Sequence, residues 1–171
     1  GYSAVGLDRR SAAIGRWIVD AWRERYGVDV AVTTQGAIRQ ELPPGDVTMA
    51  TVASIMPFEN ELVLCSVTGA QLAAMLRDDE AVVSGLTRKG DGFVTASGEA
   101  LEPAKRYRVV TSDLLFHGGD GYTFSQHDPA PTMTGDNWRD PVVAWTKRAA
   151  TSARKPLESL LLESATQTAE H

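Results

Sequence analysis

At 171 residues, 43% hydrophobic and 23% charged, the chain is long enough to bury a core without disulfides or structural metals. We read it as a single domain, residues 1–162, with a polar tail at 163–171. The formal net charge of −5 argues against a nucleic-acid polymer or an anionic membrane as a general partner, though a few local arginines can still hold a small anion. No apolar run reaches the ~18 residues of a membrane span, and the single cysteine, Cys65, has no internal disulfide partner.

GYSAVGLDRR lacks the basic and apolar regions of a signal peptide, and its abrupt start reads as that of a piece cut from a longer protein. In SAAIGRWIVDAWRERYG, Ile14, Trp17, Ile18, Ala21 and Trp22 recur at helical spacing, with Ser11 as cap and Gly27 as terminator. VDVAVTT (28–34) reads as a strand, and QGAIRQELPPGD as a loop marked by Gly36, Pro43, Pro44 and Gly45. Thr48 caps a short helix through Ile55, MPFEN forms a turn, and ELVLCSV is an apolar strand that buries Cys65. TGAQLAAMLRD starts with a capping box, Thr68 and Gln71. Residues 79–105 read as β-hairpins, and YRVVTSDLL as a strand running straight into HGGDGY. Asp140 and Pro141 open the last helix, PVVAWTKRAA. The alternation of helices and strands, with a strand-rich middle, predicts an α/β or α+β fold with a mixed sheet.

The three histidines are scattered, and the sequence has no H-E-x-x-H, C-x-x-C, G-x-S-x-G or P-loop pattern, so no metal or nucleophile motif is present. By chemistry alone the chain reads as a binding domain. FHGGDGY (116–122) poses its own question. Asp-Gly is a strong turn dipeptide, but glycines around one acid also let a ligand approach the backbone while Asp120 accepts its hydrogen bonds.

Three segments in order carry a resemblance: VDVAVTTQGAIR (28–39), MPFENELVLCSVTGAQLAAML (56–76) and YRVVTSDLLFHGGDGY (107–122). Together they resemble the C-terminal domain of the 5′-nucleotidase family, with its Asn-Gly-Gly-Gly-Ile-Arg loop, Pro-Phe-Gly-Asn turn and Gly-Gly-Asp-Gly-Tyr end. The likeness runs from about residue 9 to 150. It implies a layered fold of two β-sheets flanked by helices, with the three motif loops meeting at one edge. The family couples this domain to an N-terminal metallophosphoesterase domain with two divalent metals. No cofactor is therefore expected on this chain, and it is expected to be inactive alone. The implied partners are a nucleotide or nucleoside phosphate and that N-terminal domain. The implied setting is extracytoplasmic, periplasmic, secreted or at the cell surface.

Residue by residue, the resemblance implies that Arg39 and Arg10 contact the substrate's phosphate, that Phe58 stacks on the base, that Asn60 addresses a base or ribose edge, and that Asp120 binds the ribose hydroxyls. Arg9 is the alternative for a further family arginine. Two departures matter. Thr34 stands at the family's asparagine, with Gln35 and Ala37 replacing glycines. Leu114 stands where the family places its second clamp aromatic, so one face of a base would lose its ring. Leu114 is thus compatible with a second reading, a thiosulfohydrolase-like domain with a non-nucleotide substrate. A third reading is a degenerate stand-alone scaffold or protein-binding module.

Overall fold

The computed structural model describes residues 1–77 and 80–161. The expected tail, 163–171, lies outside the described residues. The first half contains β1 (Tyr2–Ser3), α1 (Ala12–Tyr26), β2 (Val30–Thr34), β3 (Gly45–Asp46), α2 (Met49–Ile55), β4 (Glu61–Thr68) and α3 (Gly69–Met75). The second half contains β5 (Ala81–Ser84), β6 (Leu86–Lys89), β7 (Gly92–Thr95), β8 (Arg106–Ser112), α4 (Asp113–Phe116), α5 (Phe124–His127), β9 (Thr132–Asn137) and α6 (Asp140–Ala149).

Local chemistry sets the helix starts. The hydroxyls of Ser11, Thr48 and Thr68 each accept the backbone N–H three residues on, and Thr68 forms its box with Gln71. Gly27 ends α1 in the left-handed conformation at φ 57°.

The strands order as β5-β2-β8-β4-β9 in one mixed sheet, parallel between β2 and β8 and antiparallel elsewhere. Two two-stranded ribbons, β1-β3 and β6-β7, complete the described strands. Side chains alternate across the sheet. Ala31, Leu62 and Val110 join the core beneath α1, α2 and α6, whereas Val32, Val63, Cys65, Val67 and Val109 join a second core with Leu72, Phe116 and Phe124. All of β2 is buried, as befits a central strand covered on both faces. Two indoles tie the helical layer together: Trp17 Nε1 donates to Thr146 Oγ1 at 3.1 Å, and Trp22 Nε1 to the Trp138 carbonyl at 2.8 Å.

Two local expectations change, and one strand is new. YRVVTSDLL is not one strand, because β8 stops at Ser112, whose hydroxyl accepts from Leu115 N and turns Asp113–Phe116 into helix. Among the described residues of 79–105, β6 and β7 form a hairpin and β7 turns back on Glu99–Leu101 through an antiparallel bridge between Val94 and Ala100, but β5 joins the main sheet beside β2. The strand β9 was not anticipated, since Thr132–Asn137 is polar and interrupted by Gly135; it survives as an edge strand by pairing with β4. The predicted end of the third helix, at Asp78, falls outside the described residues.

Candidate functional site

The sheet register explains why distant segments meet. β2 and β8 run parallel, so both leave the sheet at the same edge, carrying Thr34 and Asp113 out of it. β4 runs against β8 with Leu62 opposite Ser112, so β4 begins where β8 ends and brings Phe58 and Asn60 to that edge. The crevice beyond the carboxyl ends of parallel strands is the usual ligand position in open α/β sheets. Here it holds a cavity of about 250 Å³ lined by Thr34, Arg39, Phe58, Asn60, Leu114 and Asp120, with Trp138 beside them.

Phe58 and Leu114 are 46% and 54% exposed, so neither belongs to the core and both can present apolar surface to the cavity. The Arg39 guanidinium lies 5.7 Å from the Phe58 ring centroid, a cation–π contact, and one of its nitrogens donates to the Gly36 carbonyl at 3.2 Å. Thr34, itself buried, donates its hydroxyl to Asp120 Oδ2 at 2.9 Å and so orients that carboxylate. Asn60 donates one N–H of Nδ2 to Asp113 Oδ1 at 2.6 Å, which leaves its amide oxygen and second N–H for a ligand.

The glycines of HGGDGY hold this geometry. Gly118 and Gly121 take φ of 104° and 80°, the left-handed region that favours glycine, and Asp120 between them is itself left-handed at φ 53°. Gly119 has a different reason. A Cβ there would lie 2.7 Å from Leu114 Cγ and 2.8 Å from the Leu114 carbonyl oxygen, so only glycine lets this turn close over Leu114. Tyr122 is buried and stacks on Phe124 at 5.6 Å. His117 sits exposed against Phe116.

Arg10 is not part of this lining. It is exposed before α1, with its backbone N–H bonded to Asp8 Oδ1 at 2.7 Å, because the cap at Ser11 turns the chain there. Its neighbour Arg9 is the one tied to the Arg39 loop, donating Nη1 to the Ile38 carbonyl at 3.0 Å.

Two residues of the site escaped sequence reasoning. Arg139 donates Nη1 to the Met56 carbonyl at 2.8 Å and the Phe58 carbonyl at 2.9 Å, while Nη2 pairs with the Glu59 carboxylate. Trp138 donates its backbone N–H to the Asn60 carbonyl at 3.0 Å and sets its ring 6.3 Å from that of Phe58. The pair clamps the MPFEN turn from the far end of β9. The only signal was a Trp-Arg pair just ahead of an Asp-Pro helix start.

Elsewhere, the Cys65 thiol is pushed up to about 12 by burial and by the Asp128 carboxylate, with Arg106 opposing. Among the described residues no group of three or more His, Cys, Asp or Glu is placed to hold a metal ion. No helix among them is long and apolar enough to cross a membrane.

Against known proteins, the chain is 32% identical over 135 residues to Protein UshA of Escherichia coli (strain K12), a match covering 71% of this chain and 24% of UshA. It thus spans about a quarter of the length of that curated relative. The fold is shared with a 5′-nucleotidase precursor from Thermus thermophilus, at TM-score 0.75 and 24% identity, over 86% of this chain and 36% of that one. It is shared also with the Thermus thermophilus sulfate thiohydrolase SoxB, at TM-score 0.63 and 18% identity, over 86% and 32%. The model for the family described as "5'-nucleotidase, C-terminal domain" matches residues 2–127, most of the chain, and with it this chain belongs to the 5′-nucleotidase family as a C-terminal domain.

Proposed function

We propose that this chain is the substrate-binding part of a 5′-nucleotidase-type hydrolase, gripping a nucleoside monophosphate for a metallophosphoesterase domain that carries two divalent metals. One observation supports the reading above others: three segments far apart in sequence bring Thr34, Arg39, Phe58, Asn60, Leu114 and Asp120 to one cavity. Arg39 gives a planar fork of donors, of which one is engaged by Gly36, and a phosphate oxygen suits the rest. The exposed face of Phe58 takes the base, at about 1–3 kcal/mol for stacking and with little regard to which base. Leu114 closes the other side with an aliphatic surface. Asp120, held through Oδ2 by Thr34, keeps Oδ1 to accept from a ribose hydroxyl. Asn60 offers its amide oxygen to a base edge. Arg10 has no part in this grip. Bond cleavage belongs to the metals of the other domain, and this chain's share is to bind and orient. The same reading sets the protein outside the cytoplasm.

Calorimetric titration with AMP, UMP and adenosine, beside an Arg39→Ala variant, tests the proposal. Heat with both nucleotides that fades with adenosine and with the variant supports it. Silence with all three at millimolar ligand would sink it. That silence would favour a second reading, a hydrolase domain for a non-nucleotide substrate, to which Leu114 in place of an aromatic already points.

A further inference from the structure

A second cavity, of about 430 Å³, lies well away from the first. In the β2–β5 register Ala81 is opposite Thr34 but Ser84 is opposite Ala31, so Ser84 and Gly85 leave the sheet at the end remote from the nucleotide pocket. There the chain passes over α1. Arg16, Asp20 and Arg23, at spacings of four and three residues, share the helix face that lines the cavity, and Ser84, Gly85 and Arg88 line it from the strands.

The charge balance of this lining is the opposite of the chain's. Three arginines and one aspartate line it, a local surplus of two positive charges in a protein of net −5, while Glu24, Asp29 and Glu99 line the adjoining grooves. The lining aspartate is already engaged. Asp20 accepts from the buried Ser84 hydroxyl at 2.5 Å and pairs its other oxygen with Arg16 Nε at 3.6 Å. Arg23 donates only Nε, to the Asp29 carbonyl at 3.0 Å, leaving both terminal nitrogens without an acceptor among the described residues. Arg88 is fixed by one terminal nitrogen, which donates to the Leu76 and Arg77 carbonyls at 2.9 and 3.1 Å, while its guanidinium lies 5.4 Å from the Phe93 ring centroid. Gly85, at φ 91°, brings bare backbone against Arg23: a Cβ there would lie 2.9 Å from Arg23 Nε and 2.0 Å from the Asp29 carbonyl oxygen.

Guanidinium groups held in place with unused forked donors, outnumbering the carboxylate in the same lining, form a receptor for an oxyanion. The volume falls within the range of about 300–1,000 Å³ typical of small-molecule pockets, more than one phosphate group requires. We infer that this groove is a second anion site, separate from the nucleotide pocket, that takes a compact phosphate-class polyanion.

The test follows backbone amide shifts of the full chain in the Arg39→Ala background, with inorganic phosphate and with pyrophosphate, at ionic strength held constant with chloride. Saturable shifts at Gly85, Leu86 and Arg23 are expected, with pyrophosphate binding more tightly than phosphate. Arg23→Gln, or the more exposed Arg88→Gln, is expected to weaken binding about tenfold or more, since each removes a charge-assisted contact. No saturable shift at these amides with either probe would overturn the inference, as would saturation that neither substitution alters. Because Arg39 is absent throughout, either result leaves the proposal for the nucleotide pocket untouched.

Discussion

Replacing Arg139 with alanine removes a charged donor from two carbonyl groups at once. Its Nη1 lies 2.8 Å from the Met56 oxygen and 2.9 Å from the Phe58 oxygen, and the side chain is only 14% exposed. A hydrogen bond from a charged group contributes about 1.5–3 kcal/mol net. The Met56 carbonyl, partly buried, counts near the lower end of that range. The Phe58 carbonyl is reachable by water and counts for less. The ion pair adds about 0–1 kcal/mol, because Glu59 is 77% exposed and well screened. Together these predict a loss of about 2–3 kcal/mol, or roughly 4–12 °C in Tm for a chain of this size. Urea unfolding is the assay, and the midpoint is expected to fall with m unchanged. Arg139→Lys keeps the charge but not the fork, so its stability is expected to fall between the two. Under the proposed function, AMP affinity drops in the same order, because the turn that Arg139 holds carries the Phe58 ring. An alanine variant within about 0.5 kcal/mol of the parent, the range of an ordinary surface change, would refute the clamp.

Other consequences are open to measurement. Under the proposed function, Leu114→Phe adds a second ring to the cavity that Phe58 lines and is expected to tighten AMP binding about tenfold or more, within the ~1–3 kcal/mol of one base–aromatic stack, with little effect on stability because the position is 54% exposed; unchanged affinity by calorimetry would mean that Leu114 does not face a base. Burial alone would raise the Glu158 carboxyl, but hydrogen bonds from the Ser3 hydroxyl and the Val5 and Ala4 amides outweigh it and hold the group below its ordinary 4.5. A depressed folded value stabilises above the unfolded one, so the stability gap between parent and Glu158→Gln is expected to be full at neutral pH and to close as pH falls below about 4.5; a gap independent of pH in urea titrations would contradict this. Cys65, with its thiol at about 12, is protonated at pH 8 and buried, so its modification by a thiol reagent should wait on unfolding. Modification faster than unfolding would show that the second core opens locally.

Much of this was legible in the sequence because its causes are local. The caps at Ser11, Thr48 and Thr68 act within three residues, and the apolar alternation of ELVLCSV needs only a sheet to bury it. The loops QGAIR and MPFEN and the turn HGGDGY could be recognised as a set because their residue types are demanding: a fork of donors, an exposed ring, an acid among glycines. The helical end of DLL and the strand TMTGDN were not legible, because in each case the deciding partner lies outside the segment's own hydrophobic pattern: the Ser112 hydroxyl turns the first into helix, and the edge of β4 recruits the second into the sheet.

The sequence by itself determined which residues could do chemistry, through side-chain type and motif order, and it determined the α/β class through alternating periodicities. Only the tertiary structure decided which of those residues meet. Thr34, Phe58 and Asp120 converge because β2 and β8 run parallel and β4 runs against them, a matter of strand pairing that no local pattern specifies. The same pairing leaves Arg10 outside the pocket, brings Arg139 onto the carbonyl of Phe58 from 81 residues away, and gathers three arginines at the far end of β5. Contacts of that range depend on how whole strands register, and register is set by the burial of both faces of the sheet at once.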